Sequence, residues 1–580
     1  MSGIAGIVGW KAAVDEQNAM IQKMRESMRR GSQSITFSEG SMEYELSYDG
    51  KLYNAWELQE ALEQLGHRFR EHSDTEILIH AYIQWKEACV ERLNGIFAFT
   101  IWEKHHQRLF LARDRVGVKP LFYTHKNGVF LFASEIKGLL AHPLVEPELD
   151  INSIAEVILL GPGRTPGCGV FKGIEEVLPG YCGFYEENSL RLYQYWKLED
   201  KPHTDSFGQT VETIRHLLLD SIERQLDAQG AVGTLLSGGL DSSIISSVAN
   251  HRFRKHGEIL HTFSVDYRDN DRFFQANPFQ PGNDQPFVEE MVQYLGSTHH
   301  RVLLDTDKLV EALYAAVDAR DLPGMADIDA SLLLFSEKVK AHVDIALSGE
   351  CADEIFGGYP WYRDKNIRDE AGFPWAKSTL YRTSFLRPEF AMNATYYINE
   401  RYKKTIADTH VLPDASPLER RMKEMSNLNF QWFMQTLLDR TDRMSMHQGL
   451  EVRVPFCDYR IMEYLYTVPW EMKDYQNREK GLLRQAMEGL LPESVLWRKK
   501  SPYPKTHNPA YLAAVSCKLK EIIEDPAAPV LQLVRKEALE DLLENNNNSI
   551  PWYGQLMTGP QTIAYFLQIN YWLGKYQVRF

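Results

Sequence analysis

The sequence predicts two domains of different fold class, an α+β domain followed by a larger α/β domain. At 580 residues, the chain exceeds the size that one hydrophobic core usually supports. Short β patterns that turn at Asn-Gly or Asp-Gly dominate the first two hundred residues, which is typical of antiparallel hairpins. Long helical segments dominate the remainder, together with two short apolar runs typical of buried parallel strands. We therefore expect domains at 1–200 and 201–580.

The N-terminal domain combines strand and helix patterns in alternation. Its β-like segments include IAGIVGW, YELSYDG, RLFLARD and PLFYTHKNGVFLFASE. Helical periodicity is present in EQNAMIQKMRESMRR, AWELQEALEQLG and TEILIHAYIQWKEACVERL. This mixture predicts a layered α+β sandwich, and the polar stretch at 197–209 is the predicted linker to the second domain.

Composition and charge narrow the class of protein. The chain is 44% hydrophobic and carries a net charge of −15, which argues against nonspecific binding to nucleic acid or to an anionic membrane. No apolar run reaches the roughly 18 residues that a membrane-spanning helix needs. The cysteines have no CxxC spacing, so we expect neither structural zinc nor a disulfide framework, which fits a reducing cytosol. These observations predict a soluble cytoplasmic enzyme or a component of an assembly.

The stretch LLSGGLDSS at 235–243 is the strongest local motif. A buried strand ends at Leu236, two glycines allow a tight turn, and DSSIISSVAN begins a helix. Backbone N–H groups in such a turn, with the neighbouring serine hydroxyls, can surround a phosphate at the helix N-terminus. The lysine of a Walker A loop is missing. We therefore predict a phosphate site of a different kind.

A second motif, SGECADEIFGGYPW at 348–361, also follows a β-like run. Its carboxylates Glu350 and Asp353 would lie at the carboxyl end of a strand, where they can hold Mg²⁺ or move a proton. Asp241 in the first motif would then share the magnesium with Asp353. The segment REKGLLR adds Lys480 and Arg484, which are spaced to face the same way on a helix. Their positive charges could stabilise either a leaving pyrophosphate or an oxyanion.

Four motifs together resemble the glutamine-dependent, B-type asparagine synthetase family. They are SGGLDSS, SGECADEIFGGY, LLDRTDRMSMHQGLEVRVPFCDYR and RKKSPYPKTHNP, and the likeness extends over nearly the whole chain. The resemblance implies an Ntn-hydrolase-like class II glutamine amidotransferase domain followed by an ATP-pyrophosphatase synthetase domain. It also implies that ATP with Mg²⁺ adenylates the β-carboxylate of aspartate, that pyrophosphate leaves, and that ammonia attacks the adenylate. A homodimer is the assembly we would test first.

The resemblance assigns roles to residues of the second domain. Glu350 matches the general base that deprotonates the attacking amine, Lys480 the lysine at the reaction centre, and Asp241 and Asp353 the magnesium ligands. The stretch 440–443 matches a family motif but receives no role, and we hypothesise that 321–335 helps to form the acid pocket. The residues that match nucleotide contacts are Leu235, Ser237, Gly238, Gly239, Leu240, Asp241, Ser242, Ser243, Val265, Ser348 and Gly349.

The glutaminase motifs of the same family are degraded in this sequence. Once Met1 is removed, Ser2 stands where the family has its nucleophilic cysteine, and a hydroxyl is far less acidic than a thiol. Arg29 begins RRGSQ where the family has HRGPD. The interval between Gly31 and Asp49 is also shorter than in the family, so the arginine that holds the glutamine carboxylate has no counterpart.

Two further changes concern charge in the glutamine pocket. The family's NGEIYN is here DGKLYN, so that Asp49 replaces the asparagine that donates to the oxyanion, Gly50 is kept, and Lys51 replaces a glutamate. An ionised carboxylate accepts hydrogen bonds but cannot donate one. Asp74, in SDTE, still matches the aspartate that binds the glutamine amine. Glutaminase activity is therefore expected to be lost.

Four functions remain open at the level of sequence, and one of them, the fully active glutamine-dependent enzyme, would require Ser2 to act as the nucleophile with Asp49 and Lys51 present. The first is an ATP-dependent ligase that makes asparagine from aspartate and ammonia. The second is a recruited synthetase of specialised metabolism that forms another amide, a lactam or a cyclic peptide from a different acid or amine. The third, a catalytically silent regulatory or scaffold subunit, is disfavoured because SGGLDSS is intact.

Overall fold

The computed structural model describes residues 3–28, 34–274, 282–545 and 550–580. The chain divides into two compact units. The first comprises Met1–Leu149, Pro166–Lys197 and Arg579–Phe580, and the second comprises Asp150–Thr165 and Leu198–Val578. Within the described ranges, no helix has the length and apolar character needed to cross a membrane.

The first unit contains two antiparallel sheets. Their order is β1-β7-β6-β8 in the smaller sheet and β10-β9-β5-β4-β3-β2 in the larger one. The strands are β1 (Ala5–Val8), β2 (Ser34–Glu39), β3 (Met42–Leu52), β4 (Gly95–Glu103), β5 (Arg108–Arg113), β6 (Phe122–Lys126), β7 (Val129–Ala133), β8 (Glu175–Glu176), β9 (Tyr181–Glu186) and β10 (Ser189–Gln194).

Strand β5 illustrates how the two sheets form a layered sandwich. Leu109 and Leu111 pack with Phe130 of β7 in one apolar cluster, whereas Phe110 between them packs in a second cluster with Ile77. Successive side chains of a strand point to opposite faces, so β5 contributes to both cores. The helices of this unit are α1 (Val14–Ser27), α2 (Ala55–Gln64), α3 (Asp74–Trp85), α4 (Cys89–Arg92) and α5 (Ile136–Leu140). The predicted α+β sandwich is confirmed.

The second unit is built around a five-stranded parallel sheet. Its order is β13-β12-β11-β14-β15, with β11 at the centre. The predicted strands in AVGTLLSGG and HVDIALSGE are the neighbours β11 and β14, as expected for an α/β domain. The strands are β11 (Val232–Leu235), β12 (His261–Tyr267), β13 (Thr298–Leu304), β14 (Ile345–Leu347) and β15 (Glu451–Arg453).

Helices surround this sheet. The predicted linker is shorter than expected, because Ser206 and Gln209 form a capping box that begins α7 at Phe207. The helices are α6 (Ile151–Ala155), α7 (Phe207–Gln225), α8 (Leu240–Lys255), α9 (Asn270–Phe273), α10 (Gln285–Leu295), α11 (Thr306–Arg320), α12 (Asp327–Lys340), α13 (Ala352–Phe356), α14 (Lys365–Arg368), α15 (Thr379–Thr383), α16 (Pro388–Ala391), α17 (Ala394–Ala407), α18 (Pro417–Leu428), α19 (Met434–His447), α20 (Tyr459–Thr467), α21 (Trp470–Lys473), α22 (Gly481–Ala486), α23 (Glu493–Leu496), α24 (Pro509–Glu524), α25 (Lys536–Glu544) and α26 (Gly559–Lys575).

Candidate active site

The two sequence motifs of the second unit meet at one edge of the parallel sheet. Strands β11 and β14 are paired in parallel, with Thr234 opposite Leu347. The loops that leave their carboxyl ends therefore lie side by side. In open α/β sheets this edge is where ligands bind.

The loop after β11 leads directly into the N-terminus of α8. Gly239 is the N-cap residue and has no side chain with which to cap the first turn. The hydroxyls of Ser237 and Ser242 lie 3.0 Å apart, and Ser242 Oγ accepts from the Ser237 backbone N–H at 3.1 Å. Unpaired N–H groups at a helix start, flanked by hydroxyls, favour an anion such as phosphate.

Glycine is required at one position in each loop by close approach of the backbone. Gly238 has φ +67, and a Cβ there would lie 2.7 Å from the backbone nitrogen of Val288. A Cβ at Gly349 would lie 2.9 Å from the Cβ of Asp241. The second glycine therefore lets the loop after β14 pack directly against the start of α8.

Most residues predicted to contact the nucleotide line a single pocket. Gly238 and Ser243 do not line it: Gly238 packs against α10, and Ser243 is fully buried behind the loop. The predicted residues that line the pocket are Leu235, Ser237, Gly239, Leu240, Asp241, Ser242, Val265, Ser348, Gly349, Glu350, Asp353 and Lys480.

A lysine bridges the two predicted metal ligands. Lys480 Nζ lies 2.8 Å and 2.7 Å from the two carboxylate oxygens of Asp241 and 2.8 Å from Asp353 Oδ1. Lys500 forms a further ion pair with Asp353. Burial alone would raise the pKa of Asp353, but the two ammonium groups outweigh it and hold that pKa well below its usual range. Both carboxylates therefore point at one cation site.

The donor set at this site fits Mg²⁺ together with a nucleotide. No group of three or more His, Cys, Asp or Glu side chains able to hold a metal occurs within the described ranges. Mg²⁺ is usually held by one or two carboxylates plus substrate phosphate oxygens, with water in the remaining positions. Asp241 and Asp353, next to the loop that favours phosphate, supply that partial set.

Glu350 occupies the same pocket on the side of α19. Its Oε1 accepts a hydrogen bond from Arg440 Nη2 at 2.8 Å, and Thr441 Oγ1 lies 3.5 Å from the same oxygen. The Glu350 side chain is 21% exposed, so it is open to the pocket. Sequence reasoning identified Glu350 but assigned no role to the 440–443 stretch that contacts it.

The region beyond Glu350 is largely aromatic and apolar. Tyr359 stacks on Trp361 with ring centroids 4.3 Å apart, and Phe433 meets both rings edge-on. From the segment 321–335, Met325, Leu332 and Phe335 line the pocket. Asp327 does not: it is fully buried, accepts from Gln561 at 3.3 Å, and burial raises its pKa to about 6.

The expectation that the cysteines form no disulfide is wrong for one pair. Cys351, which follows Glu350, is joined to Cys457, with their Cα atoms 6.0 Å apart. Both side chains are buried. The partners are separated by 106 residues in the sequence, so spacing gave no indication of the contact. The bond anchors the loop after β14 to the segment Pro455–Cys457.

Sequence reasoning also missed two cations in RKKSPYPKTHNP. Arg498 donates to the Gly238 carbonyl at 3.0 Å and pairs with Asp284, which fixes the glycine turn. Lys500 pairs with Asp353. Arg484 lines the pocket, but its guanidinium donates to the carbonyls of Leu496 and Glu479. The run of three consecutive basic residues was the available signal for a phosphate-facing segment.

The predicted glutamine pocket lies in the first unit. Lys51 Nζ lies 2.8 Å from Asp74 Oδ1, and the Leu52 backbone N–H donates to Asp74 Oδ2 at 2.7 Å. Asp49 is buried and lies 3.6 Å from Lys119 Nζ. Gly50 lies where β3 and β4 approach closely, because a Cβ would be 2.2 Å from the Ile96 carbonyl.

Two members of the predicted glutaminase site, Ser2 and Arg29, lie outside the described residues. Of the rest, Asp74 has kept its place at the start of α3, where Ser73 caps the helix. Its carboxylate already faces the ammonium group of Lys51. A ligand ammonium would have to compete with this internal lysine.

Comparison with known proteins agrees with the two-unit organisation. A family model described as asparagine synthase matches residues 213–574, and one described as a glutamine amidotransferase domain matches 24–196. The chain is 47% identical over 540 residues to "Asparagine synthetase [glutamine-hydrolyzing] 3" of Bacillus subtilis, covering 92% of this chain and 88% of that protein. It is 30% identical to "Asparagine synthetase [glutamine-hydrolyzing] 1" of the same organism over 82% and 78% of the two chains.

A more distant relative carries a different name. The chain is 26% identical to "Amidase chry2" of Gibberella zeae, over 83% of this chain and 80% of that protein. The fold, the paired loops and the extent of the first two likenesses agree with one another. The chain belongs to the asparagine synthase family and is an ATP-dependent carbon–nitrogen ligase of the asparagine synthetase type, with an N-terminal glutamine amidotransferase-like domain.

Proposed function

We propose that the chain makes L-asparagine from L-aspartate and free ammonia, at the expense of ATP cleaved to AMP and pyrophosphate. The side-chain carboxylate of aspartate attacks the α-phosphate, pyrophosphate leaves, and ammonia displaces AMP from the acyl-adenylate. The observation that carries the proposal is the convergence of Glu350, Lys480, Asp241 and Asp353 in one pocket at the carboxyl ends of β11 and β14.

The residues divide this chemistry between them. The loop after β11 and the N-terminus of α8 bind the phosphates through backbone N–H groups. Asp241 and Asp353 would hold Mg²⁺, which screens the phosphate charge. Lys480, whose ammonium group lies between these two carboxylates, neutralises the charge of the leaving pyrophosphate. Glu350 takes a proton from the nitrogen that attacks the adenylate, as a general base beside the reaction centre.

We further propose that the N-terminal domain does not hydrolyse glutamine. Support comes from Lys51, which lies 2.8 Å from the carboxylate that would bind the glutamine ammonium group. A second internal pair, Asp49 with Lys119, lies at the position expected to stabilise the oxyanion. A carboxylate there repels developing negative charge, and losing one donor of this kind typically costs about 10²–10³ in rate.

A second candidate function is amide formation with an acid larger than aspartate or an amine larger than ammonia. It is favoured by Tyr359, Trp361 and Phe433, which give the pocket an aromatic wall beyond Glu350. Aspartate has no apolar part to place against such a wall. The same adenylation chemistry would then serve a lactam, a cyclic peptide or another amide.

Formation of AMP distinguishes these candidates. The protein is incubated with ATP, Mg²⁺ and ammonium, and AMP is measured with and without L-aspartate. We expect AMP and asparagine in equal amounts, both dependent on aspartate. If aspartate yields no AMP but a bulkier acid does, the second candidate replaces the first.

A further inference from the structure

The side chain of Arg440 is buried in the wall of the pocket beside Glu350. It comes from α19, is 3% exposed, and lines the same pocket as the two sequence motifs. Its guanidinium lies over the ring of Tyr503, with 5.6 Å between the guanidinium carbon and the ring centroid. The helix and the ring therefore constrain the position of this charged group.

The hydrogen-bonding capacity of Arg440 is mostly unused. A guanidinium carries five N–H donors in a planar fork. Only Nη2 donates to an oxygen in the part of the chain described, at 2.8 Å to Glu350 Oε1. Nη1 faces the sulfur of Met325 at 4.0 Å, a weak acceptor, and Nε has no partner within the described ranges. Buried donors without acceptors are unfavourable, and more so on a charged group.

Another buried arginine of the same unit, Arg453, donates to several acceptors. Arg453 is 2% exposed, which matches the burial of Arg440. Its Nε donates to Glu451 at 2.6 Å, and its Nη1 donates to the carbonyls of Gln225 and Asp227 at 2.6 Å and 2.8 Å. Arg453 is thus supplied with acceptors by its own chain, whereas Arg440 lines the pocket and has Glu350 as its one oxygen acceptor among the described residues.

The charge around Arg440 keeps the guanidinium ionised. Burial opposes ionisation, but the carboxylates of Glu350 and Asp329 outweigh it and raise the pKa of Arg440 above its ordinary value. The lysines of the pocket, Lys480 and Lys500, are instead engaged by Asp241 and Asp353 on the phosphate side. Arg440 is therefore a cation on the Glu350 side of the pocket, away from those two carboxylates.

We propose that Arg440 binds the carboxylate of the acid substrate that does not react, and so selects a dicarboxylic amino acid. This inference rests on the proposed function and deepens it. The planar fork of an arginine can bind a carboxylate through two hydrogen bonds, and the donors we assign to it are the N–H groups of Nη1 and the N–H of Nη2 that Glu350 does not use. For L-aspartate the bound group is the α-carboxylate, which leaves the side-chain carboxylate to attack ATP.

The Arg440–Glu350 contact gives this arrangement a second consequence. Nη2 donates to Glu350 Oε1 while the remaining donors bind the substrate carboxylate. One guanidinium would thus set the distance between the acid substrate and Glu350, the general base. A simpler reading makes Arg440 a positioning residue that acts through Glu350 alone. The two roles differ in what happens to substrate selectivity when the guanidinium is removed.

The test compares acids that differ by one carboxylate. L-Aspartate is paired with β-alanine, which lacks the α-carboxylate, and L-glutamate with 4-aminobutanoate. The rate of pyrophosphate release is measured with ATP, Mg²⁺ and ammonium. For the unmodified protein we expect kcat/KM for aspartate to exceed that for β-alanine by about 10²-fold or more, because a donor built for a missing group is left unpaired.

The Arg440→Met variant should lose this selectivity. We expect kcat/KM for aspartate to fall by about 10²-fold and the aspartate to β-alanine ratio to approach about one, with KM for ATP unchanged. Arg440→Lys, which keeps the charge but not the fork, should recover part of the ratio. Arg421→Met, on the neighbouring helix α18 and outside the pocket, serves as the matched control and should keep the full ratio.

The kinetics of the variants distinguish binding of the substrate carboxylate by Arg440 from a role of Arg440 through Glu350 alone. If Arg440→Met lowers the rates for aspartate and β-alanine equally, the ratio is retained, and the carboxylate-binding role is overturned in favour of a role through Glu350. Glu350→Gln adds an independent readout: aspartate-dependent ATP–pyrophosphate exchange should persist while amide formation is lost. If exchange falls as amide formation does, the division of roles is wrong.

Failure of the proposed function has a different signature. In that case no acid of the panel releases pyrophosphate, even with the unmodified protein. Calorimetric titration of the same acids, with Mg²⁺ and a non-hydrolysable ATP analogue present, then tests Arg440 directly. Tighter binding of the dicarboxylic member of each pair, lost in Arg440→Met, supports the inference, and equal or absent binding overturns it.

Discussion

Two regions of the molecule each place a lysine against aspartate carboxylates, with opposite consequences. In the C-terminal unit, Lys480 bridges Asp241 and Asp353 within a pocket lined by glycine turns. In the N-terminal unit, Lys51 pairs with Asp74. The first lysine lies where a bound metal ion could replace it as the partner of the carboxylates, while a bound polyphosphate could become the partner of the lysine. The second lysine lies where the ammonium group of a substrate would have to bind, and that ammonium group could only compete with it.

An ion pair alone therefore identifies neither an active nor an inactive site. What differs is the set of unpaired groups nearby. The helix start at α8 offers free N–H groups to phosphate, and Glu350 is open to the pocket. In the glutamine pocket, Asp49 already faces Lys119. Charge is therefore balanced inside the N-terminal pocket, and the C-terminal pocket keeps unused donors.

The largest expected effect follows from removing the bridging lysine. Lys480→Met should lower aspartate-dependent pyrophosphate release by about 10³-fold, because the leaving pyrophosphate loses its cation. The two carboxylates would also repel each other, at a cost to stability of about 3–5 kcal/mol. Initial rates and thermal unfolding, measured side by side, separate the two effects.

A conservative variant controls for misfolding. Lys480→Arg keeps the positive charge between Asp241 and Asp353, so its thermal unfolding should resemble that of the unmodified protein. Its rate should still fall by about tenfold or more, since a wide guanidinium cannot replace a compact ammonium. A folded Lys480→Met variant with a rate within about threefold of the original would contradict the assignment.

The two units also differ in their cysteines, which gives the second prediction. Cys351 and Cys457 form a disulfide in the C-terminal unit, whereas Cys89 and Cys182 in the N-terminal unit are buried thiols. A cross-link between distant residues stabilises a protein by about 2–4 kcal/mol. A reducing agent should therefore lower the midpoint of thermal unfolding of the unmodified protein.

Two serine variants test whether the shift in the midpoint of thermal unfolding comes from the Cys351–Cys457 disulfide. Cys457→Ser should unfold at the lower midpoint with or without the reducing agent. Cys182→Ser should keep the sensitivity of the unmodified protein, because its thiol has no disulfide partner. An equal response to the reducing agent in both variants would assign the effect to something other than the Cys351–Cys457 bond.

The third prediction concerns a buried carboxylate that has no lysine within ion-pair distance in the described structure. Burial raises the pKa of Asp327 from 3.8 to about 6, so between these values the folded protein holds a proton that the unfolded chain has lost. Stability contributed by this group therefore falls as pH rises through that window and stays lower above it. Asp327→Asn should be more stable than the unmodified protein by about 2 kcal/mol near neutral pH, with no gain below about pH 4.

Thermal unfolding of both proteins across this pH range checks the sign. Asp353→Asn is the contrasting variant, because Lys480 and Lys500 hold the pKa of Asp353 below its ordinary value and its loss should destabilise the protein at neutral pH. The stability difference between Asp327→Asn and the unmodified protein is compared at neutral and at acid pH. If the variant loses stability relative to the unmodified protein on going from acid to neutral pH, the assigned protonation state of Asp327 is wrong. Unchanged kinetics for aspartate would also count against a role of Asp327 in acid binding.

Much of the C-terminal site could be predicted because short-range rules determine it. Glycine turns after apolar strands fix the two loops, and parallel pairing of β11 and β14 brings them together. Gly238 does not line the pocket and packs closely against α10, so its contact with a nucleotide stays a prediction. Local sequence indicates a tight turn but not which of its residues line the pocket.

The remaining parts depend on contacts between distant segments. The Cys351–Cys457 bond, the Lys500–Asp353 pair and the Arg440–Glu350 pair each join residues at least 90 positions apart in sequence. No local pattern encodes such contacts. In the N-terminal unit, the motif changes showed which positions differ, but the pairing of Lys51 with Asp74 required the fold.

The smallest expected effect belongs to Lys51. Lys51→Met removes a partly exposed ion pair and should change the free energy of unfolding by at most about 1 kcal/mol. Asp74 keeps the hydrogen bond from the Leu52 backbone N–H, which limits the loss. Amide synthesis from ammonium should be unaffected. A marked fall in that rate would mean that the N-terminal pocket contributes to synthesis after all.

Isotopic labelling of the amine source tests directly whether the chain uses free ammonia and does not hydrolyse glutamine. The protein is given ATP, Mg²⁺ and L-aspartate with either isotopically labelled ammonium or glutamine labelled in its amide, and labelled asparagine and glutamate are measured. We predict labelled asparagine from ammonium, and a rate from glutamine lower by about 10²-fold or more, without glutamate. Comparable labelling from glutamine, with equal release of glutamate, would contradict the account.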